Sequence, residues 1–176
     1  MKAHLNPGGI VSQWVPLYES SPDVVKSEVA TFFNVFPDGT VWSNDINGKG
    51  YDVVLAGHAT PQTINLDSMQ ARLSSPDGAR VSQSLAEVGL SSSISLMSTY
   101  GGQARDLAPW LTDAQINRDS NLRLQYLAGM GLNRYESASI FEDMLKYRTF
   151  PENLFVGATS EKELLRTQLS NRYNLE

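Results

Sequence analysis

The order of local patterns in residues 1–60 constrains the fold more than any other feature of the sequence. Ile10 to Leu17 is an apolar run, β-branched at its start, which predicts a buried strand that ends near Pro16. Ser21-Pro22-Asp23 then predicts the start of a helix, because a capping serine, a proline at the first helical position and a nearby carboxylate all suit a first turn. A strand followed directly by a helix indicates the α/β class.

The predicted helix has one apolar face at helical period, and Pro37-Asp38-Gly39 ends it. The residues on that face are Val25, Val29, Phe32, Phe33 and Phe36. Two short β-prone runs follow, Thr40 to Ser43 and Tyr51 to Gly57, on either side of a turn-rich connection. We predict that they form an antiparallel pair at the edge of an α/β sheet.

The rest of the chain is predicted to be mainly helical. Short helical patterns broken by Ser, Gly and Pro fill the region from Pro61 to about Gly131, and Tyr100-Gly101-Gly102 is predicted to be a turn. Clearer helices are predicted from about Glu136 to Arg148 and from Ser160, where Ser160-Glu161-Lys162-Glu163 fits a capping box. Apolar side chains predicted to face the core are Leu85, Val88, Leu90, Ile94, Leu96 and Met97, then Ile140, Phe141, Met144 and Leu145, then Leu164, Leu165 and Leu169. The predicted domains are 1–60 (the sheet), 61–133 (a helical region) and 134–176 (a C-terminal helical extension).

Composition excludes several classes of function. The net charge of −5, with no run of basic residues, argues against general nucleic-acid binding, which needs cations to replace phosphate counterions. The absence of cysteine excludes disulfides, thiolate metal sites and a cysteine nucleophile, and is compatible with a cytoplasmic location, which we expect. No apolar stretch approaches the ~18 residues of a membrane span, and the N-terminus has no signal-peptide pattern.

No catalytic or metal-binding set is visible in the sequence. His4 and His58 lie far apart, and neither has companion ligands at metal-site spacing. Neither a G-x-S-x-G elbow nor a G-x-G-x-x-G turn occurs. Helix-dipole compensation explains Asp23, and turn chemistry explains Asp45 and Asp52. We therefore predict no catalytic residue and no metal ligand in this chain.

The candidate binding residues lie at the end of the first predicted strand: Gln13, Trp14, Tyr18 and Glu19. In open α/β sheets ligands collect beyond the carboxyl ends of strands, so a glutamine flanked by Trp and Tyr suits a small ligand. The alternative is a tryptophan that packs on the sheet and a glutamine in a loop. Physical reasoning from the sequence alone favours the alternative.

Four segments, in order, carry a resemblance to a known family. The run from His4 to Tyr18 (HLNPGGIVSQWVPLY) resembles the segment L-x-P-G-G-(apolar)-x-x-Q-W-x-P-L-Y of spermidine-synthase-like proteins, the aminopropyltransferases. The later segments are similar to the helix end T-F-x-x-V-F-P, the late strand and the N-x-D…L-x-Y tail of the branch that is often fused to membrane segments. In this chain they are Val29 to Pro37, Tyr51 to Gly57, and Asn117-x-Asp119 with Leu122, Leu124 and Tyr126.

The resemblance implies a methyltransferase-like, Rossmann-type doubly wound sheet, of which this chain is the C-terminal part. In the family a Gly-rich turn binds decarboxylated S-adenosylmethionine, and a central aspartate pair binds and deprotonates the attacking amine. These elements precede the L-x-P-G-G segment, so the chain is expected to be inactive alone and to need the missing N-terminal half. Gln13 occupies the place of a family glutamine that lines the amine pocket, with Trp14 and Tyr18 beside it. The intervening Trp14 and Pro16 depart from the family's soluble enzymes, which places polyamine specificity in question.

Two other interpretations stay open at this point. The chain is a non-catalytic binding or oligomerisation module, because half of a doubly wound sheet exposes a strand edge that a second copy would cover. Alternatively it is part of an S-adenosylmethionine-dependent methyltransferase. The expected partners are the missing half of the parent, a second copy of the chain and, in the parent, a small-molecule amine. The parent is either cytoplasmic or membrane-attached.

Overall fold

The computed structural model describes residues 2–46, 49–129 and 136–172 of the chain. The strands are β1 (Ile10–Pro16), β2 (Thr40–Ile46), β3 (Lys49–His58), β4 (Ile64–Asn65), β5 (Tyr100–Gln103) and β6 (Phe155–Val156). The helices are α1 (Pro22–Val35), α2 (Leu66–Leu73), α3 (Ala79–Glu87), α4 (Ser93–Met97), α5 (Ala104–Leu107), α6 (Arg123–Ala128), α7 (Ser137–Leu145) and α8 (Thr159–Arg172). Short 3₁₀ turns occupy Lys2–His4 and Pro76–Gly78. Met1 and the predicted turn residues Asn47 and Gly48 lie outside the described residues.

The chain forms two compact units, each made of two stretches of sequence. The sheet unit comprises Met1–Pro61 and Gly101–Thr149, and the helical unit comprises Gln62–Tyr100 and Phe150–Glu176. The predicted mixture of strands and helices is confirmed at this level. The predicted division into 1–60, 61–133 and 134–176 stays a prediction. None of the helices in the described ranges is both long enough and apolar enough to cross a membrane.

The main sheet has the strand order β1-β3-β2-β5 and is antiparallel. The predicted antiparallel pair is confirmed, since Val41 lies opposite Leu55 and Ser43 opposite Val53. The other edge of β3 pairs with β1, with Val15 opposite Val53. Because β3 lies between β1 and β2, these neighbours are not the side-by-side parallel strands of a doubly wound sheet, and a Rossmann-type arrangement is not confirmed. Sequence patterns report local conformation and leave the spatial order of strands open.

Helix α1 packs on the sheet through the apolar face that the sequence predicts. Its residues Val25, Val29, Phe32 and Phe33 are buried, and so is Phe36, which follows as the C-cap residue. Gly57 of β3 lies directly beneath two of these rings: a Cβ added at Gly57 would lie 2.5 Å from Cγ of Phe36 and 3.0 Å from Cζ of Phe32. Ser21 is the N-cap, accepting a hydrogen bond from the Val24 N–H at 3.5 Å. Local capping and tertiary packing therefore agree for this helix.

Helix α7 packs against β3 and confirms its predicted apolar face. Ile140, Phe141 and Met144 are buried. Phe141 lies on Gly50, where an added Cβ would lie 2.3 Å from Cγ of the ring. Gly50 thus leaves room for an aromatic side chain from a helix distant in sequence.

The predicted turn at Tyr100-Gly101-Gly102 is wrong, because these residues belong to β5, which pairs beside β2. The two glycines lie in the core of the sheet unit. A Cβ at Gly101 would contact Met144 and Val41 at 3.4 Å, and one at Gly102, where φ is +148°, would lie 3.1 Å from Leu107. In a sequence, a glycine pair predicts a turn. Here the missing side chains instead allow neighbouring side chains to pack directly against the backbone of a strand.

The helical unit combines helices α2, α3, α4 and α8 with the short parallel pair β4–β6. Of the apolar residues predicted to face a core, Ile94, Met97, Leu165 and Leu169 are buried. Val88 (69% exposed) and Leu164 (48% exposed) are not, so the prediction is wrong for these two.

The predicted capping box at Ser160 is displaced because α8 begins at Thr159, which places the serine inside the first turn. The residue that binds the start of α8 is Asp67, far away in sequence. Its Oδ2 accepts a hydrogen bond from the Ala158 N–H at 2.7 Å. A carboxylate at this position also compensates the positive end of the helix dipole.

Candidate functional site

An aromatic cluster lies where β1 ends and β3 begins, in the sheet unit. The Tyr18 and Tyr51 rings stack with centroids 4.5 Å apart, and Trp14 lies against Tyr18 with centroids 6.1 Å apart. Trp14 is 52% exposed and Tyr51 is 46% exposed. The cluster, which we call the aromatic site, therefore presents ring surface to the outside of the unit.

Two carboxylates lie beside this aromatic site. Asp52 follows Tyr51 in β3 and is buried, and Glu19 follows Tyr18 and is exposed. Desolvation, the neighbouring Tyr51 and the negative charges of Asp52 and Glu19 together raise the pKa of the Tyr18 hydroxyl above its usual value. The raised pKa means that this environment disfavours the negatively charged, deprotonated form of the hydroxyl.

The backbone at Glu19 is held in a conformation that residues with a side chain seldom adopt. Its φ is +50°, in the left-handed region. The turn from β1 into α1 thus holds Glu19 next to Tyr18 at some conformational cost. The cap of α1 begins two residues later, at Ser21, so the turn is fixed at both of its ends.

The structure brings together some of the residues that the sequence singled out. Trp14 and Tyr18 are in contact, with Glu19 next along the chain. Gln13 is not part of the cluster: it lies in the middle of β1 opposite Leu55, whereas Trp14 lies opposite Val54. Because successive strand side chains point to opposite faces, Gln13 and Trp14 lie on different faces of the sheet.

Two members of the site were not singled out from sequence, Tyr51 and Asp52. The sequence pattern assigned Asp52 to turn chemistry, whereas it lies within β3, opposite Pro16 and Asn44 and buried. The signal that could have identified the pair is the antiparallel register. It places the start of β3 beside the end of β1.

The tail motif beginning at Asn117 has a structural role. The Asn117 side-chain oxygen accepts a hydrogen bond from the Leu124 N–H at 2.9 Å, near the start of α6. The Asn117 N–H donates to Oγ1 of Thr31 at 2.8 Å, and Ser27 of α1 donates to the Gln115 carbonyl at 2.6 Å. This motif therefore attaches residues 115–124 to the polar side of α1.

A second group of charges lies at the start of α1. Nζ of Lys26 contacts Oδ1 of Asp113 at 2.8 Å, and this hydrogen bond is the main cause that lowers the pKa of Asp113. Together with Asp23 and Arg123 they line a small polar pocket of about 220 Å³. The pocket has acids and bases in equal number, so it has no preferred ligand charge.

The helical unit carries a larger groove of about 670 Å³ beside α2 and α3. Met69, Leu73, Val81, Leu85 and Leu96 contribute its apolar lining. The charged residues of the lining, Arg72 and Asp77, have opposite signs, so the groove selects no ligand charge. Leu85 and Leu96, predicted to face a core, in fact face this groove.

Within residues 2–46, 49–129 and 136–172, no group of three or more His, Asp or Glu side chains is placed to hold a metal ion. His4 is exposed, and His58 lies at the end of β3, opposite Ile10. Comparisons with protein-family models, with curated proteins and with solved structures find no match to this chain.

Proposed function

We propose that this chain is the C-terminal part of a spermidine-synthase-like aminopropyltransferase and that its aromatic site binds the cationic amine substrate. The observation that carries the proposal is the cluster of Trp14, Tyr18 and Tyr51 rings with the Asp52 and Glu19 carboxylates beside it. The resemblance of four sequence segments to that family supports the choice of enzyme.

The chemistry of an alkylamine matches this cluster. Primary amines have pKa values near that of lysine, about 10.4, and so carry ammonium groups at neutral pH. Ammonium groups bind the faces of Trp and Tyr rings within about 6 Å of the centroid. Carboxylates add charge-assisted hydrogen bonds, and an apolar diamine chain suits the exposed ring surfaces.

The connection between β1 and β2 also supports the proposal. Both strands pair antiparallel with β3, so they run in the same direction, and α1 joins them. A strand–helix–strand crossover between strands of one direction is the building unit of α/β sheets. In the proposed parent, further strands would continue the sheet beyond β1, and sequence outside these 176 residues would provide them.

The residues of this chain do not fit decarboxylated S-adenosylmethionine, the family's aminopropyl donor. The turn between β1 and α1 contains no glycine. The glycine pair of β5 is filled by the chain's own side chains, Met144 and Val41 at Gly101 and Leu107 at Gly102. We therefore assign donor binding and the catalytic aspartates to the remainder of the parent, and this chain to amine binding alone.

Titration with 1,4-diaminobutane, followed by the Trp14 indole resonance in NMR spectra, tests amine binding. Tyr18→Ala should weaken binding about two- to fivefold, because one ring surface is lost. Asp52→Asn should weaken it about tenfold through loss of a charge-assisted hydrogen bond. Tyr126→Ala is the matched control, since Tyr126 is 70% exposed on α6, outside the aromatic site.

Uncharged 1,4-butanediol serves as the ligand control and should leave the spectrum unchanged. Equal responses to diol and diamine, or equal losses in the Tyr18 and Tyr126 variants, would contradict amine recognition at this site. Incubation of the purified chain with decarboxylated S-adenosylmethionine and diamine tests the second half of the proposal. Aminopropyl transfer under those conditions would show that the chain is not an inactive part of a larger enzyme.

A further inference from the structure

The polar pocket at the start of α1 contains four charged side chains, and all of its lining belongs to the sheet unit. Two of these charges neutralise each other, because Nζ of Lys26 donates to both carboxylate oxygens of Asp113, at 2.8 and 3.0 Å. The other two are the carboxylate of Asp23 and the guanidinium group of Arg123. Neither of them forms an ion pair with another residue of the described ranges. The pocket therefore presents one unpaired negative group and one unpaired positive group.

The Nε–H group of Arg123 is buried and has no hydrogen-bond acceptor within the described part of the chain. A buried charged donor without an acceptor is costly, and native proteins provide nearly all such groups with a partner. An acceptor that enters the pocket would satisfy this donor. Nε and a neighbouring Nη of a guanidinium group form a planar fork that matches the two oxygens of a carboxylate. The ligand group that suits Arg123 best is therefore a carboxylate.

The backbone around Arg123 is held in place by two asparagine side chains. Oδ1 of Asn121 accepts a hydrogen bond from the Arg123 N–H at 3.2 Å, and Oδ1 of Asn117 accepts one from the Leu124 N–H at 2.9 Å. Leu122, directly before Arg123, has a φ of +45°, in the left-handed region that residues with a side chain seldom adopt. The chain thus maintains a strained residue next to Arg123. An arginine on a backbone fixed in this way is preorganised for a ligand.

The size and lining of the pocket restrict the ligand further. Its volume of about 220 Å³ is below the ~300–1,000 Å³ of pockets for drug-sized ligands, and it equals the volume of roughly seven water molecules at ~30 Å³ each. Only Ala114 among the lining residues is apolar. A simple anion would meet the like charge of Asp23, and a simple cation would meet that of Arg123. A small ligand that carries both charges avoids both repulsions.

We propose that the polar pocket binds a small zwitterion of the α-amino-acid class. The carboxylate of the ligand accepts hydrogen bonds from Nε and Nη of Arg123, and its ammonium group donates to the carboxylate of Asp23. The Lys26–Asp113 pair stays intact and forms a neutral wall of the pocket. None of these residues belongs to the aromatic site, so the proposal does not depend on amine binding there.

NMR titration of the full chain with L-alanine, followed by the Nε–H resonance of Arg123, tests this site. Propionate lacks the ammonium group of alanine and ethylamine lacks its carboxylate, so these two compounds are matched probes. Alanine should shift the resonance saturably, and each probe should bind about tenfold more weakly or worse. A resonance that stays unchanged at tens of millimolar alanine would overturn the proposal. Propionate or ethylamine that binds as tightly as alanine would overturn recognition of a zwitterion.

Variants at the two unpaired groups test their roles, with the amide resonances of residues 113–115 as the measure of binding. Arg123→Lys keeps the positive charge but loses the fork, and should weaken alanine binding about tenfold. Asp23→Asn removes the charged partner of the ammonium group and should weaken binding to a similar extent. Arg118→Lys is the matched control, because Arg118 is exposed in the same segment and does not line the pocket.

The Arg118 variant should bind alanine like the parent. Circular dichroism and thermal unfolding establish that each variant is folded. Parent-like alanine binding by a folded Arg123→Lys variant, or equal losses in the Arg118 and Arg123 variants, would overturn the assignment of the carboxylate to Arg123.

Discussion

The sheet unit and the helical unit are stabilised in different ways. In the sheet unit, strands of 7, 7 and 10 residues pair with one another, and α1 and α7 cover them with aromatic side chains. In the helical unit, α2, α3 and α4 have 8, 9 and 5 residues, and the β4–β6 pair has two residues on each strand. Short helices and strands bury little apolar area each, so polar contacts at their ends matter more.

Those polar contacts are numerous in the helical unit. Asn65 caps α2, Ser92 and Ser95 form a capping box at the start of α4, and Asp67 binds the start of α8. Glu152 also forms ion pairs with two residues of α8, Arg166 and Lys162, the latter at 3.4 Å. The difference teaches that the sheet unit depends mainly on aromatic side chains packed on its long strands, and that capping contributes more in the helical unit. We expect the helical unit to open locally at lower free energy.

The largest effect is expected from Phe141→Ala in the sheet unit. Removal of this buried ring leaves a cavity above Gly50 and should lower the free energy of unfolding by about 3–5 kcal/mol. Urea unfolding measures the loss, with Phe141→Leu as a milder control. A loss below about 1 kcal/mol would show that close packing against β3 is not what stabilises this unit.

Gly50→Ala probes the same contact from the other side. The new Cβ would lie 2.3 Å from Cγ of Phe141, so the variant should be destabilised by about 1–3 kcal/mol through overpacking. The two changes should not be additive: in the Phe141→Ala background the alanine should cost much less. Additive losses in a double-mutant cycle would contradict a direct contact.

Asp67→Ala should destabilise the helical unit by about 0.5–2 kcal/mol, because the Ala158 N–H loses its acceptor. Hydrogen exchange should then increase in α2 and at the start of α8, while the amides of β1 and β3 keep their protection. Asp67→Asn retains an acceptor oxygen and should cost less. Equal loss of protection in β3 would mean that the two units unfold together, and would contradict local opening of the helical unit.

The smallest effect concerns Glu28 of α1, which lies partly buried in the sheet unit. Burial raises its pKa above the usual value of 4.5. The folded state therefore binds the proton of Glu28 more tightly than the unfolded state does. The stabilisation that this protonated carboxyl contributes at low pH is lost as the pH rises through its raised pKa. Glu28→Gln should match the parent near about pH 4 and become more stable than the parent towards about pH 7.

Thermal unfolding of the Glu28→Gln variant at both pH values measures this effect. Glu142→Gln, an exposed change on α7, is the matched control and should show no comparable trend with pH. A difference between the Glu28 variant and the parent that is the same at both pH values would contradict desolvation as the cause.

Part of the candidate site followed from sequence and part did not. Trp14 and Tyr18 are separated by one short stretch of chain, so their contact depends mainly on where β1 ends. Tyr51 and Asp52 join them only through the antiparallel register of β1 on β3, which brings distant residues together. Gln13 was separated from Trp14 by the alternation of strand side chains, once the strand was known to include both residues.

The sequence by itself determined the local elements of this protein. Ser21-Pro22 started α1, the phenylalanine face identified its buried side, and the β-prone runs located β1, β2 and β3, because capping, periodicity and β-propensity act within a few residues. Only the tertiary structure decided that β3 lies between β1 and β2, that Gly101 and Gly102 belong to a strand, and that Asp67 binds α8. These outcomes depend on pairing and packing between residues that are distant in sequence, and local sequence patterns do not predict such contacts.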